Sequence, residues 1–155
     1  MFHIVLVEPR IPQNTGSIGR MCYNAGFTLH IVNPLFSIDE KAVKRAGLDY
    51  WKKLNPLLWD SLEDFLNEYG KFQDRFFFAT TKTSQTYFEV NYQKGDFLFF
   101  GSESFGLPMD LMQRKWENTI TIPMKECGRS LNLATSVGIV SYEALRQNFA
   151  SFEKN

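Results

Sequence analysis

Three consecutive phenylalanines, Phe76-Phe77-Phe78, lie inside the short stretch Arg75 to Thr81. Successive side chains of a strand point to opposite faces, so an unbroken apolar run needs cover on both. The same form recurs in Phe2 to Val7, Leu29 to Val32, Phe97 to Phe100 and Thr119 to Ile122. Helical signals fill the intervals. Asn14 is expected to cap a helix carrying Ile18, Met21, Cys22 and Ala25, stopped by Gly26. Asp39 is expected to cap a short helix through Ala46, and Asp60, with Glu63 as capping-box partner, another that ends before Gly70. Pro108 opens a helix to about Trp116, and Asn132 to Phe149 forms a long final one. Lys82 to Lys94 is polar and irregular. Strands alternating with helices predict an α/β fold, a mostly parallel sheet with helices on both faces, in a single domain spanning 1–155. Strand order is not written in local pattern.

Composition narrows the class without naming a ligand. Lys plus Arg and Asp plus Glu are 17 each, so net charge selects neither a nucleic-acid nor a membrane partner, although a local basic patch is compatible with neutrality. No apolar run approaches the roughly twenty residues of a membrane helix, and no signal peptide is recognisable, so a cytoplasmic protein is expected. Cys22 and Cys127 have neither a C-x-x-C spacing nor a nearby histidine pair, and no metal site is expected. His3 and His30 lie in or beside strands without ligand spacing and read as structural.

Chemistry concentrates in three Gly/Ser/Asn-rich connections that follow strands, the edge where α/β sheets bind ligands. Asn14-Thr-Gly-Ser-Ile-Gly-Arg20 lacks the G-x-G-x-x-G of a dinucleotide site, and Asn33 stands where an acidic ribose ligand would close the second strand. Gly101 to Pro108 has the glycine spacing of a phosphate loop at Gly101 and Gly106. Leu107 replaces the lysine such a loop requires, which excludes a P-loop NTPase. A single carboxylate, Glu103, stands within it. Ile122-Pro-Met-Lys-Glu-Cys-Gly-Arg-Ser-Leu-Asn132 is the third connection. In the final helix the small residues Ala134, Ser136, Gly138, Ser141 and Ala144 fit close helix packing, in the core or against a second copy. Lys41, Lys44, Arg45, Lys52 and Lys53, beside Tyr50 and Trp51, form a basic and aromatic cluster suited to RNA, or, where nothing else points to RNA, a solvated face balanced by Asp39, Glu40 and Asp49.

Together, Asn14-x-Gly16-x-x-x-Arg20, Gly101-x-Glu103-x-x-Gly106-Leu107-Pro108, and Ile122-Pro-Met followed by Ser130-x-Asn132 resemble the three ordered motifs of the SPOUT superfamily, in particular the SpoU-type RNA ribose 2′-O-methyltransferases. The likeness spans Ile4 to Arg146. With Arg45-Ala-Gly-Leu-Asp-Tyr50 and no appended RNA-binding domain, the chain is similar to the minimal subfamily that methylates the wobble nucleotide, cytidine or modified uridine, of leucine tRNAs.

The resemblance implies a deep C-terminal trefoil knot, an obligate homodimer, a tRNA substrate and S-adenosylmethionine as methyl donor. It places the cofactor against Ala79, Thr80 and Thr81, against Gly101, Ser102, Glu103 and Gly106, and against Ile122, Met124, Ser130 and Leu131. Arg20 matches the catalytic arginine, and Asn14, Glu103, Ser130 and Asn132 match supporting polar positions. A guanidinium is a poor base at its normal pKa, so Arg20 either orients the hydroxyl and the neighbouring phosphate or, only in a strongly perturbed setting, acts as the base. Two other readings fit the residues: the same chemistry on another RNA, such as ribosomal RNA, and a non-catalytic nucleotide- or RNA-binding module.

Overall fold

Five parallel pairings build one six-stranded sheet in the computed structural model, which describes residues 1–38 and 51–152. The strands are β1 (His3–Val7), β2 (Thr28–Val32), β3 (Leu57–Trp59), β4 (Phe76–Ala79), β5 (Phe97–Phe100) and β6 (Thr119–Ile120), ordered β3-β2-β1-β5-β4-β6. The helices are α1 (Pro12–Ala25), α2 (Trp51–Leu54), α3 (Leu62–Tyr69), α4 (Met109–Gln113) and α5 (Leu133–Gln147). The expected cap at Asp39, its helix, and Lys41, Lys44, Arg45 and Tyr50 lie outside the described residues.

The triple-Phe strand is covered on both sides, as its pattern requires. Phe77 joins Ile4, Leu6, Leu29, Ile31, Leu98 and Phe100 in a core shared with α1 and α5. Phe76 and Phe78 point the other way, into a core of Val5, Val7, Phe97 and Phe99 closed by Phe65 of α3 and Leu111 and Met112 of α4. Phe65 stands edge-on to Phe99 with ring centroids 5.7 Å apart. Truncating such a ring to Ala costs about 3–5 kcal/mol, against ~1 kcal/mol for a lost helix cap. Packing rather than capping therefore secures α3.

Several boundaries differ from expectation for local reasons. Asn14 lies inside α1, whose N-cap is Ile11 with Pro12 following, because the proline ring presets the first helical turn. Ser61, not Asp60, caps α3, accepting from the Asp64 amide at 3.1 Å. Gly70 adopts right-handed helical angles and leads into a 3-10 segment, Gly70–Arg75, rather than stopping the helix. The helix after Pro108 ends at Gln113, and a separate 3-10 turn covers Trp116–Asn118. The last strand stops at Ile120, although Thr121 bridges to Thr86. Strand β3 has no counterpart in the sequence reading: it has three residues, and Leu58 is exposed.

At the amino-terminal edge, Arg75 pairs with the buried Asp96 through two hydrogen bonds of 2.6 and 2.7 Å, joining the starts of β4 and β5. Nearby, His3 Nδ1 and His30 Nε2 lie 2.8 Å apart. Trp59 Nε1 donates to His30 Nδ1 at 3.2 Å. An indole N–H only donates, so neutral His30 carries its proton on Nε2 and gives it to His3 Nδ1. The pair stacks among Phe97, Tyr69 and Phe65. Burial and mutual repulsion push His30 down to about 3; burial and the chain's amino terminus push His3 to about 4. Both imidazoles are structural and neutral.

Candidate active site

The sheet changes direction between β1 and β5. From β1 the chain proceeds to β2 and β3 on one side, while β5, β4 and β6 lie on the other. Connections leaving the carboxyl ends of neighbouring strands at such a point diverge and leave a crevice. Here the crevice is a cavity of about 520 Å³. Its wall comes from four segments: Ile11 and Asn14 after β1, Ala79 to Lys82 after β4, Phe100 to Leu107 after β5, and Ile120 to Leu133 (without 123 and 125–129) with the start of α5.

The loop after β5 is folded against itself. The Gly106 amide donates to the Ser102 carbonyl at 3.0 Å, and the Ser104 amide to Ser102 Oγ at 3.1 Å. A Cβ at Gly101 would stand 2.1 Å from the Gly106 carbonyl carbon, so the close approach of the two glycines leaves no room for a side chain. Gly106 has φ +69°, which permits the turn, and Leu107 anchors the far end in the core.

Glu103 projects from this loop towards the start of α1. Its carboxylate accepts from the amides of Arg10 (2.8 Å) and Ile11 (2.9 Å) and from Asn14 Nδ2 (3.1 Å). Helix α1 has neither a side-chain cap nor an acid in its first turn; Glu103, 92 residues from Ile11, provides the negative charge that a helix N-terminus favours. Partial burial pushes its pKa up, but the donated hydrogen bonds outweigh that and hold it below the usual carboxylate value. Asn132 completes the link. Its Nδ2 donates to Asn14 Oδ1 at 2.9 Å, while its Oδ1 accepts from the Thr135 amide as the cap of α5. With Glu103 on one end of its amide and Asn132 on the other, Asn14 has its oxygen and nitrogen assigned by the network.

The three sequence motifs thus meet around one cavity, through Asn14, Glu103 and Asn132. Ala79, Thr80, Thr81, Gly101, Ser102, Gly106, Ile122, Met124, Ser130 and Leu131 all line it. Arg20 does not: it is exposed on α1 and has no hydrogen bond or ion pair among the described residues. Lys52 and Lys53 are exposed on α2, outside the cavity wall. Gly19 is a packing residue, since a Cβ there would meet the Trp51 ring at 2.9 Å. Lys82 in the wall and Arg10 behind it were not expected from sequence, and Phe105 was expected only as part of the loop Gly101 to Gly106. Arg10 sits in a Pro-flanked segment that reads only as a strand breaker; Phe105 was detectable as a large apolar residue in an otherwise polar turn.

Among the described residues no helix is long and apolar enough to cross a membrane, and no three His, Cys, Asp or Glu side chains group as a metal site. Residues 1–142 match the SpoU rRNA Methylase family. The tRNA (cytidine(34)-2'-O)-methyltransferase of Escherichia coli (strain K12) is 44% identical over 149 residues, covering 95% of this chain and 94% of that protein. The tRNA (cytidine(34)-2'-O)-methyltransferase of Aeromonas hydrophila is 43% identical, with the same coverage. Among solved structures, one concerned with the 2-OH methylation of C/U34 on tRNA superposes with a TM-score of 0.88 at 40% identity, covering 97% of each chain. The SpoU methyltransferase AviRb from Streptomyces viridochromogenes, solved in complex with AdoMet, shares the fold at a TM-score of 0.81 and 22% identity, over 96% of this chain and 61% of that one.

Proposed function

Because the chain belongs to the SpoU rRNA Methylase family, we propose that it is an S-adenosylmethionine-dependent methyltransferase acting on the ribose 2′-hydroxyl of the wobble nucleotide, cytidine or modified uridine, of leucine tRNAs. The observation that carries this reading is the hydrogen-bonded chain Asn132–Asn14–Glu103, which ties the three motif loops around one cavity. The likeness to position-34 tRNA methyltransferases over almost their whole length favours tRNA as the RNA.

The residues present fit the methyl donor. About 520 Å³ is in the range of small-molecule sites. The close approach of Gly101 to the Gly106–Leu107 backbone fixes the shape of the loop along the cavity, and Ile122, Leu131 and Leu133 offer apolar wall for a flat ring. Ala79, Thr80 and Thr81, the loop Gly101 to Gly106, and Ile122, Met124, Ser130 and Leu131 would hold it. When bound, S-adenosylmethionine supplies a methyl group already made electrophilic by its sulfonium. The chain's own task is then alignment of the ribose hydroxyl. Asn14, held at both ends of its amide, presents a fixed polar surface at the cavity, and Glu103 keeps the start of α1 pressed against the donor loop.

Arg20 lies outside the wall of its own cavity. Its proposed role, orienting the hydroxyl and the adjacent phosphate, is therefore assigned to the site of a second copy in a homodimer. The C-terminal trefoil knot, the single domain, the cytoplasmic setting and RNA contacts through Lys41, Lys44, Arg45, Lys52 and Lys53 belong to the same reading. Calorimetry with S-adenosylmethionine separates an enzyme from a non-catalytic module, which would bind none. Mass spectrometry of tRNA from cells lacking the protein is expected to show loss of the ribose methyl at the leucine-tRNA wobble position. An unchanged wobble nucleotide, or a methyl missing from ribosomal RNA instead, sinks the tRNA assignment. Arg20→Ala is expected to lower turnover about 100-fold while S-adenosylmethionine still binds.

A further inference from the structure

Among the described residues, the most exposed of the large apolar side chains stands at the cavity mouth. Phe105 is 73% exposed although it lines the cavity, and its loop is otherwise fixed by the Ser102–Gly106 bridge and the burial of Leu107. Nothing in the packing calls for a ring there. Arg10 lies over one face of it, with the guanidinium carbon 5.7 Å from the ring centroid. Arg10 is itself held to the same loop, through Nη1 to Ser104 Oγ at 2.9 Å and its backbone amide to Glu103. Its other guanidinium N–H groups have no partner among the described residues. The opposite face of the ring has no aromatic or cationic partner among them.

A ring with one open face and a guanidinium with unused donors is a combination suited to unpaired RNA: the ring stacks a base and the cation takes the phosphate. Charge at the mouth agrees. Among the described residues Glu103 is the only carboxylate in the wall, and its oxygens are occupied by amide donors; the only other charged wall residue among them is Lys82. Resting on the RNA-methyltransferase reading above, we propose that Phe105 and Arg10 form a nucleotide clamp. The free face of Phe105 stacks an unpaired base beside the methylated nucleotide, and Arg10 binds that nucleotide's phosphate.

The test compares the full-length protein with F105A, F105Y and R10Q on an in vitro tRNA transcript bearing unmethylated cytidine at position 34, measuring tRNA affinity, KM, kcat and S-adenosylmethionine affinity. F105A is expected to weaken tRNA binding about tenfold and to raise KM for tRNA by more than it lowers kcat, with S-adenosylmethionine affinity within twofold of wild type. F105Y keeps a stacking ring and should restore tRNA affinity to within twofold. R10Q should reduce the slope of log affinity against log salt by about one contact. Unchanged tRNA affinity in F105A overturns the clamp. So does an equal loss of S-adenosylmethionine affinity, which would make the ring a cofactor wall, or a shift in oligomeric state on sedimentation, which would mean that a second copy covers it. A wild-type protein that binds the transcript but transfers no methyl brings down the proposed function, while the affinity comparison still decides the clamp.

Discussion

Two polar clusters hold distant parts of the chain together, one at the carboxyl edge of the sheet and one on the sheet face that packs against Phe65. At the carboxyl edge, Glu103, Asn14 and Asn132 join segments 89 and 118 residues apart. Across the sheet face, His3, His30 and Trp59 join three neighbouring strands. The histidine cluster is sealed among rings, and the network accounts for both ring nitrogens of His30. The carboxylate cluster borders a cavity and belongs to a loop whose two glycines pack backbone against backbone. One device therefore serves two ends. Closed by aromatic packing it sets the pairing of strands; placed beside a cavity it holds three loops in a fixed relation.

The largest expected effect tests the carboxyl edge directly. Gly101→Ala forces a methyl group into the Gly106 backbone, which must move. Overpacking of this kind costs about 1–3 kcal/mol, and the displaced loop should abolish S-adenosylmethionine binding measured by calorimetry, while circular dichroism remains native-like. Retained binding would mean that the loop is not a cavity wall. Glu103→Gln should come next. It removes the charge from bonds to two backbone amides, a loss of about 1.5–3 kcal/mol, read as a lower urea midpoint together with slower methyl transfer. If stability fell with no change in transfer, the two clusters would be alike in function.

Acid separates the clusters by pH window. Unfolded histidines titrate near 6.5, while His3 and His30 are lowered to about 4 and 3 in the fold. Between those values the unfolded chain binds more protons, so this contribution is fully present above pH 6.5 and is lost as pH falls. Glu103 is held below the ordinary carboxylate value of 4.5, so its contribution is lost only at lower pH, as it falls through the depressed folded value. Urea unfolding at successive pH values should show stability declining first in the histidine window. His30→Gln should flatten that part of the curve and leave the acid part in place. A wild-type curve level from pH 6.5 to 4.5 would contradict the buried neutral pair.

The smallest effect concerns Thr15, which follows Asn14 and has the one buried side-chain polar atom without a partner among the described residues. Its hydroxyl is in neither cluster. Thr15→Val should therefore be neutral or stabilise by up to about 1 kcal/mol, seen as an unchanged or slightly raised melting temperature. A clear drop would assign the hydroxyl a role.

The sheet was legible in the sequence where strands are buried on both faces, because Phe76 to Phe78 and Phe97 to Phe100 leave no polar alternation to misread. Strand β3 was not, since a three-residue edge strand after Asn55-Pro56 has too little pattern of its own. The three loops announced themselves through glycine, serine and asparagine at strand ends. Their mutual bonds did not, because the Glu103–Asn14 and Asn14–Asn132 contacts depend on a strand order that no local residue encodes. Asn14 shows the limit best. From sequence it reads as a helix cap, but Pro12 starts the helix earlier and releases its amide for the network. His3 and His30 were read separately as structural, and only the pairing of β1 with β2 reveals that each is the other's partner.

The sheet order also bears on the timetable of synthesis. Strand β5 lies between β1 and β4, yet both leave the ribosome before it. A chain made only as far as residue 96 lacks both neighbours of β4 and one neighbour of β1, and leaves those hydrophobic edges unpaired. Such edges invite pairing with other chains, and contacts this remote in sequence close slowly. Phe97 to Phe100 pairs with both β1 and β4, and the loop that follows it carries Glu103 to the start of α1. The last strand to enter the middle of the sheet thus carries the loop on which the site depends, so a half-assembled sheet has no site to present.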